Sequence, residues 1–146
     1  MGKVIVKLKL TNYPELVLEK RRLLKGKPRQ VEVDALVDSG ATRLYLKSSV
    51  IKSLGLNPVD RLRSRTISGP HTARTFEPVR LELMGRYGEF GVVEVDDSVP
   101  NLLGQIPLEH LDLVVDSKSR KLIPNPEHGG EWMSEAYLDR PMNRQT

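Results

Sequence analysis

The triplet Asp38-Ser39-Gly40 places a carboxylate, a small hydroxyl residue and a glycine at the end of an apolar run, Ala35-Leu36-Val37. A charge at the end of a buried strand is costly unless its surroundings put it to use. If two such triplets meet, carboxyl groups about 3 Å apart cannot both ionise, and they share one proton. The ionised member can then draw a proton from water while the protonated one polarises a carbonyl, with no covalent intermediate. Gly40 permits a sharp turn and a close approach. Ser39 can hydrogen-bond backbone across a symmetric junction, and Ala41 is small enough to lie beside an extended chain. Taken alone, the triplet is also an ordinary turn, because all three residue types favour turns.

Few other residues compete for a chemical role. Cysteine is absent, which rules out disulfides, thiol nucleophiles and cysteine-based zinc sites. The histidines, His71, His110 and His128, are far apart and match no metal-ligand spacing, so no metal site is expected. His71 reads as a solvated loop residue and His110, in Pro107-Leu108-Glu109-His110-Leu111, as a helix-surface one. Asp96-Asp97 precedes Ser98-Val99-Pro100 and reads as a turn. Asp116-Ser117-Lys118 lacks the glycine and also reads as a turn.

The elements that would position Asp38 follow from hydropathy. Period-two alternation dominates, which argues for short strands. Val4, Val6, Leu8 and Leu10 form a first strand that Asn12-Tyr13-Pro14 breaks, and Leu16-Val17-Leu18 reads as a second short extended piece. Val31 to Val37 alternates and then turns continuously apolar, as a strand does on entering a core. Leu44-Tyr45-Leu46 resumes beyond the triplet. A helix is expected over Val50, Ile51 and Leu54, capped by Ser48 or Ser49 and stopped by Gly55. Three hairpins follow. The first turns at Ser68-Gly69-Pro70-His71 and the second at Gly85-Arg86-Tyr87-Gly88. The last turns at Asp116-Ser117-Lys118-Ser119.

A chain of 146 residues is expected to be one domain that buries roughly 70% of its unfolded surface. No apolar run reaches the roughly 18 residues of a membrane span, so no membrane partner is expected and the default compartment is the cytoplasm. The net charge is +4. Its basic stretches, Lys20 to Arg29 and Arg61, Arg63 and Arg65, read as a solvated loop and an outer strand face. No aromatic residues interleave with them to stack on bases, so nucleic acid is not the expected partner.

In combination, three stretches resemble the retropepsin-like aspartic proteases, in particular their small single-domain prokaryotic members. They are VEVDALVDSGATRLYL followed by SSVIKSLGL, the central hairpin RTISGPHTARTF, and NLLGQIPLEHLDLVVDSKSRKLIPNP. The resemblance implies a mainly β fold, an acid-protease barrel protomer with one or two short helices, over residues 1–126. Residues 127–146 would be a flexible or docking tail. It implies that Asp38 is catalytic, that Ser39, Gly40, Ala41 and Thr42 form the active-site loop, and that Leu102, Leu103 and Gly104 pack beneath it. Ser68, Gly69, Pro70 and His71 would lie at the tip of a flap closing over a peptide. Apolar pockets would be lined in part by Leu36, Leu44 and Ile67. The proton-sharing carboxylate pair is that family's known arrangement and comes with the resemblance.

The chain holds one Asp-Ser-Gly and no internal repeat, so the second carboxylate must come from another copy. The expectation is a cofactor-independent endopeptidase, active as a two-fold homodimer on peptide or protein substrates. Two alternatives remain open at this point: a silent peptide-binding or assembly module on the same fold, and a basic nucleic-acid-binding β-domain. Serine in place of the commoner threonine is tolerated in the family. Pro70 is a larger departure, because it removes a backbone donor from the flap.

Overall fold

Alternation turns into architecture in the first strand. In β1 (Ile5–Asn12), Leu8 and Leu10 are fully buried while Lys7 faces solvent. The computed structural model describes residues 3–67 and 69–133 of the chain. β1 pairs antiparallel with β2 (Gln30–Val37), from Ile5 opposite Leu36 to Thr11 opposite Gln30. On its other edge, Lys9 to Asn12 pair with Val79 to Glu82 of β5 (Gly69–Leu83).

Between these lie β3 (Leu44–Lys47), α2 (Ser48–Leu54) and β4 (Pro58–Thr66). After β5 come β6 (Arg86–Val95), β7 (Leu102–Leu103), α3 (Gln105–Leu111), β8 (Leu113–Asp116) and β9 (Lys121–Pro124). The main sheet runs β1-β2-β7-β3-β6-β5-β4, and the β1–β5 pairing closes its first six strands into a barrel with β4 outside. β8 and β9 form a separate hairpin. The interior is built largely of leucine: Leu8, Leu10, Leu44, Leu46, Leu81 and Leu103 are all essentially sealed from water. No helix among the described residues is long and apolar enough to cross a membrane.

The chain departs from the sequence expectation in four places. Leu16-Val17-Leu18 is not extended but lies in α1 (Tyr13–Lys20). Asn12 is its cap, with Oδ1 accepting the Glu15 N–H at 3.0 Å, and Pro14 occupies the first turn, where no amide partner is needed. With α1, the α-helices among the described residues number three, where one or two helices were expected.

Neither serine caps α2. Lys47 holds the cap position, the Asp97 carboxylate takes the Ser49 N–H at 2.9 Å, and the Ser48 hydroxyl donates to Glu94. Gly55 does stop that helix in the left-handed conformation.

β5 is one long strand through Glu77-Pro78. A register irregularity between Phe76 and Val79 accommodates the proline's missing donor. The β5–β6 turn is the tighter Met84-Gly85, both residues having positive φ as a type I′ hairpin requires.

Candidate active site

β2 delivers Asp38 to its position. Directly after Val37, the Asp38 N–H donates to the Leu103 carbonyl at 3.0 Å, and the Asp38 carbonyl accepts from Ala41 N–H at 3.0 Å. The Asp38 Oδ1 accepts the Gly40 N–H at 2.9 Å, which folds the triplet into a compact turn. A Cβ on Gly40 would come within 3.2 Å of that same oxygen, so the close approach expected of the glycine is real.

The two-residue strand β7 holds the loop from beneath. It runs parallel to β2, with Leu36 opposite Leu102, and antiparallel to β3, with Leu44 opposite Leu103. It therefore wedges between the two strands that the loop connects. The next three residues then bond to the loop itself. Gly104 N–H donates to Arg43 carbonyl at 2.9 Å, Gln105 N–H to Ala41 carbonyl at 2.8 Å and Ile106 N–H to Thr42 carbonyl at 2.9 Å. The loop thus satisfies the orphan donors at the start of α3, a helix with no side-chain cap. The structure brings together Asp38 to Thr42 and Leu102 to Gly104.

Exposure is less uniform than expected. Asp38 is half-buried, whereas Ser39, Gly40 and Thr42 are open to solvent. A single chain does not supply the shelter that the strand-end argument anticipated for the carboxylate.

Gly69, Pro70 and His71 lie at the tip of the β4–β5 hairpin, where Thr66 pairs with Gly69 and Ser64 with His71. Ser68 falls outside the described residues. Pro70 and His71 are exposed, and neither hydrogen-bonds to the Asp38 loop among the described residues. At the base of this hairpin is a hollow of about 390 Å³, lined by His71, Arg74, Glu94 and Asp96 among others. Arg74 grips Glu94 with two hydrogen bonds, at 2.9 and 3.0 Å, and this grip holds the Glu94 carboxyl below its ordinary value.

Of the three residues expected to line apolar pockets, Leu44 is instead sealed in the core and Ile67 is wholly exposed, whereas Leu36 is half-buried and lines a small hollow beside Ile5 and Pro100.

Asn101 has a role that the sequence did not disclose. Its Oδ1 accepts the Lys47 N–H at 2.8 Å and its Nδ2 donates to the Asp34 carbonyl at 2.9 Å, while its own carbonyl takes the Leu36 N–H. One buried amide thereby fixes both strands flanking the loop. Asn101→Ala strands a buried amide hydrogen and a carbonyl, so a loss of about 2–3 kcal/mol in unfolding free energy is expected by chemical denaturation.

A second polar cluster fastens the segment after β9. The Asp112 carboxylate binds the Asn125 side chain, the His128 ring and the Met133 N–H. Arg86, itself buried, donates to the carbonyls of Leu111, Asp112 and Gly130. Trp132 donates its indole N–H to the His110 carbonyl at 3.0 Å. His110 is on the surface of α3 as expected, its ring edge-on to Phe90. Residues up to Met133 of the expected tail are therefore tied to this chain's own α3; residues 134–146 lie outside the described residues.

Burial pushes the Asp112 carboxyl up, but the hydrogen bonds from His128, Asn125 and Met133 outweigh it and leave the value lowered. A carboxyl depressed by folding contributes stability above its unfolded value and loses it as pH falls through the folded one. Acidification below the ordinary carboxylate range should therefore release this segment. Trp132 is the only tryptophan, so its fluorescence should report the transition, and Asp112→Asn should remove the pH dependence. Asp96 and Asp116 act as turn residues, accepting from Ser98 and Ser119 respectively. Asp97 caps α2, and none of the three joins Asp38.

No curated protein is a significant sequence match. The retroviral protease-like domain of Ddi1 from Leishmania major shares the fold, with a TM-score of 0.52 over 86% of each chain at 18% identity. The EIAV protease complexed with the inhibitor HBY-793 aligns more loosely, with a TM-score of 0.43 over 53% of this chain and 75% of that one at 18% identity. The family model described as aspartyl protease matches residues 24–105. That span begins ahead of β2 and ends just beyond Gly104, so it takes in both the Asp38 loop and the strand wedged beneath it. With this match over more than half its length, and with a retropepsin-like fold, the chain belongs to the aspartyl protease family.

Proposed function

We propose that the protein is an aspartic endopeptidase whose active site forms where two copies meet, each contributing Asp38. The observation that carries this reading is the way Asp38 is held. A single Asp-Ser-Gly turn is braced by β7 and the start of α3, yet its outer face is open, as a half-site on a two-fold axis would be. One Asp38 carboxylate activates water and the other, protonated, polarises the scissile carbonyl. In this reading the Ser39 hydroxyl would lock one loop to the other, and the tip of the β4–β5 hairpin would close over an extended substrate. Residues 1–126 form the catalytic unit, and the chemistry calls on carboxylates and water alone.

One further feature supports a second copy: Ile106, on the first turn of α3 and bonded to the loop, is 49% exposed. Below the dimer dissociation constant, the cleavage rate should rise with the square of protein concentration. Mass spectrometry of a peptide library, digested from about pH 4 to 7.5, would read this out. Pro70 at the flap tip favours the second reading, a peptide-binding module without turnover. Peptide binding by a verified dimer that cuts nothing across that range would establish it in place of the protease.

A further inference from the structure

The segment Lys20 to Arg29, between α1 and β2, carries Lys20, Arg21, Arg22, Lys25, Lys27 and Arg29 and no acid, a concentration of charge greater than the whole chain's net +4. Only Arg29 is neutralised. Its guanidinium grips the Glu15 carboxylate and lies against Gly55, and this fixes the segment's far end. The other five are exposed and form no ion pair with any described residue. A helix C-terminus favours cations in its last turn, which accounts for those around Arg21. Lys25 and Lys27 lie beyond its reach.

Two exposed leucines accompany these charges, Leu23 within the segment and Leu18 just ahead of it. Leu23 is 65% exposed and Leu18 is 37% exposed. The helix ends with Leu23 N–H bonded to Leu18 carbonyl at 2.8 Å and Arg22 in the left-handed conformation, a closure that brings the backbones of the two leucines together. The apolar pair is thus presented on an ordered turn.

We infer that this turn is a peripheral docking surface for an anionic phospholipid bilayer. The five cations would meet the headgroups while Leu18 and Leu23 dip into the interface. Phosphate on a nucleic-acid duplex would use the charges but not the leucines. Tyr13, the aromatic residue at the start of α1, is occupied under Arg80. β2 separates this turn from Asp38 by its full length, roughly 26 Å of strand, so docking leaves the catalytic loop at the far end. The inference stands apart from turnover and needs no spanning segment.

Sedimentation of the full chain with phosphatidylcholine vesicles, with and without about 30% phosphatidylserine, tests it at low and high salt. Binding is expected only with phosphatidylserine and should weaken as salt rises. The triple variant Arg21→Gln/Lys25→Gln/Lys27→Gln should lose about 100-fold in affinity, at about fivefold per cation. Leu23→Ser should weaken binding severalfold at every salt concentration. All four positions are exposed, so the variants should melt as the parent does. Failure to prefer phosphatidylserine vesicles at low salt would overturn the inference. So would a Leu23→Ser variant that binds like the parent, or tighter binding to a DNA duplex than to vesicles at equal salt.

Discussion

Asp38→Asn should abolish peptide cleavage, by about a thousandfold or more, while leaving the protein folded and dimeric. The substitution removes the ionisable group from both halves of the proposed pair at once, so no proton is left to share and no base to activate water. It nevertheless keeps an oxygen where Asp38 Oδ1 accepts the Gly40 N–H, so the turn survives. The melting temperature should move little, and peptide binding should persist. Asp38→Ala provides the contrast, because it removes the acceptor as well and should lower both activity and stability. Cleavage by Asp38→Asn within about tenfold of the parent would assign the chemistry to another group.

Gly104→Ala should be the most damaging conservative change outside the triplet. A Cβ there would lie 2.8 Å from both the Ala41 carbonyl oxygen and the Arg43 nitrogen, and closer still to the Arg43 carbonyl oxygen. All three are backbone atoms of the loop that carries Asp38, so none can swing aside as a flexible side chain would. Either β7 withdraws or the loop shifts. We expect a cost of about 3 kcal/mol, a fall in melting temperature of roughly 10 °C, and loss of cleavage beyond what destabilisation explains. Gly91→Ala is the control. Its Cβ would meet only the Phe76 carbonyl oxygen, at 3.8 Å, an ordinary contact. If the two variants melt alike, the wedge does not bear on the loop as argued.

The sequence made β1 and β2 legible because one face of each is buried, and alternation records that directly; β4, exposed along nearly all its described length, was legible instead from the turn residues at the end of its hairpin. The Asp38 triplet and Leu102-Leu103-Gly104 were legible only as a pair of motifs. Neither shows by itself that one lies under the other, since their contact is backbone to backbone. α1 was misread because Tyr13-Pro14 looks like a break. The same residues, preceded by Asn12 and followed by Glu15, are also a helix start, and only the Asn12 side chain's bond to Glu15 N–H decides between them. Asn101, Arg86 and Asp112 were invisible for another reason. Most of their partners are backbone groups of residues distant in sequence, and such pairings leave no trace in residue type or spacing. Leu44 was assigned to a pocket, but its side chain belongs to the buried core.

The wedge of β7 also sets when the site can exist. Leu36 and Leu102 are 66 positions apart in the chain yet adjacent in the sheet. Contacts of such long range form late, after the intervening strands have collapsed, because closing so large a loop is entropically expensive. A nascent chain ending before Leu102 has the Asp38 triplet but nothing beneath it to hold the turn. At a synthesis rate of about 5–20 residues per second, the carboxylate emerges several seconds before its support. Maturation of the half-site is therefore timed by the ribosome. Under the proposed two-copy mechanism, a hydrolytic centre that must also await a second finished copy would stay inert in the crowded interval when unfolded neighbours are most open to attack.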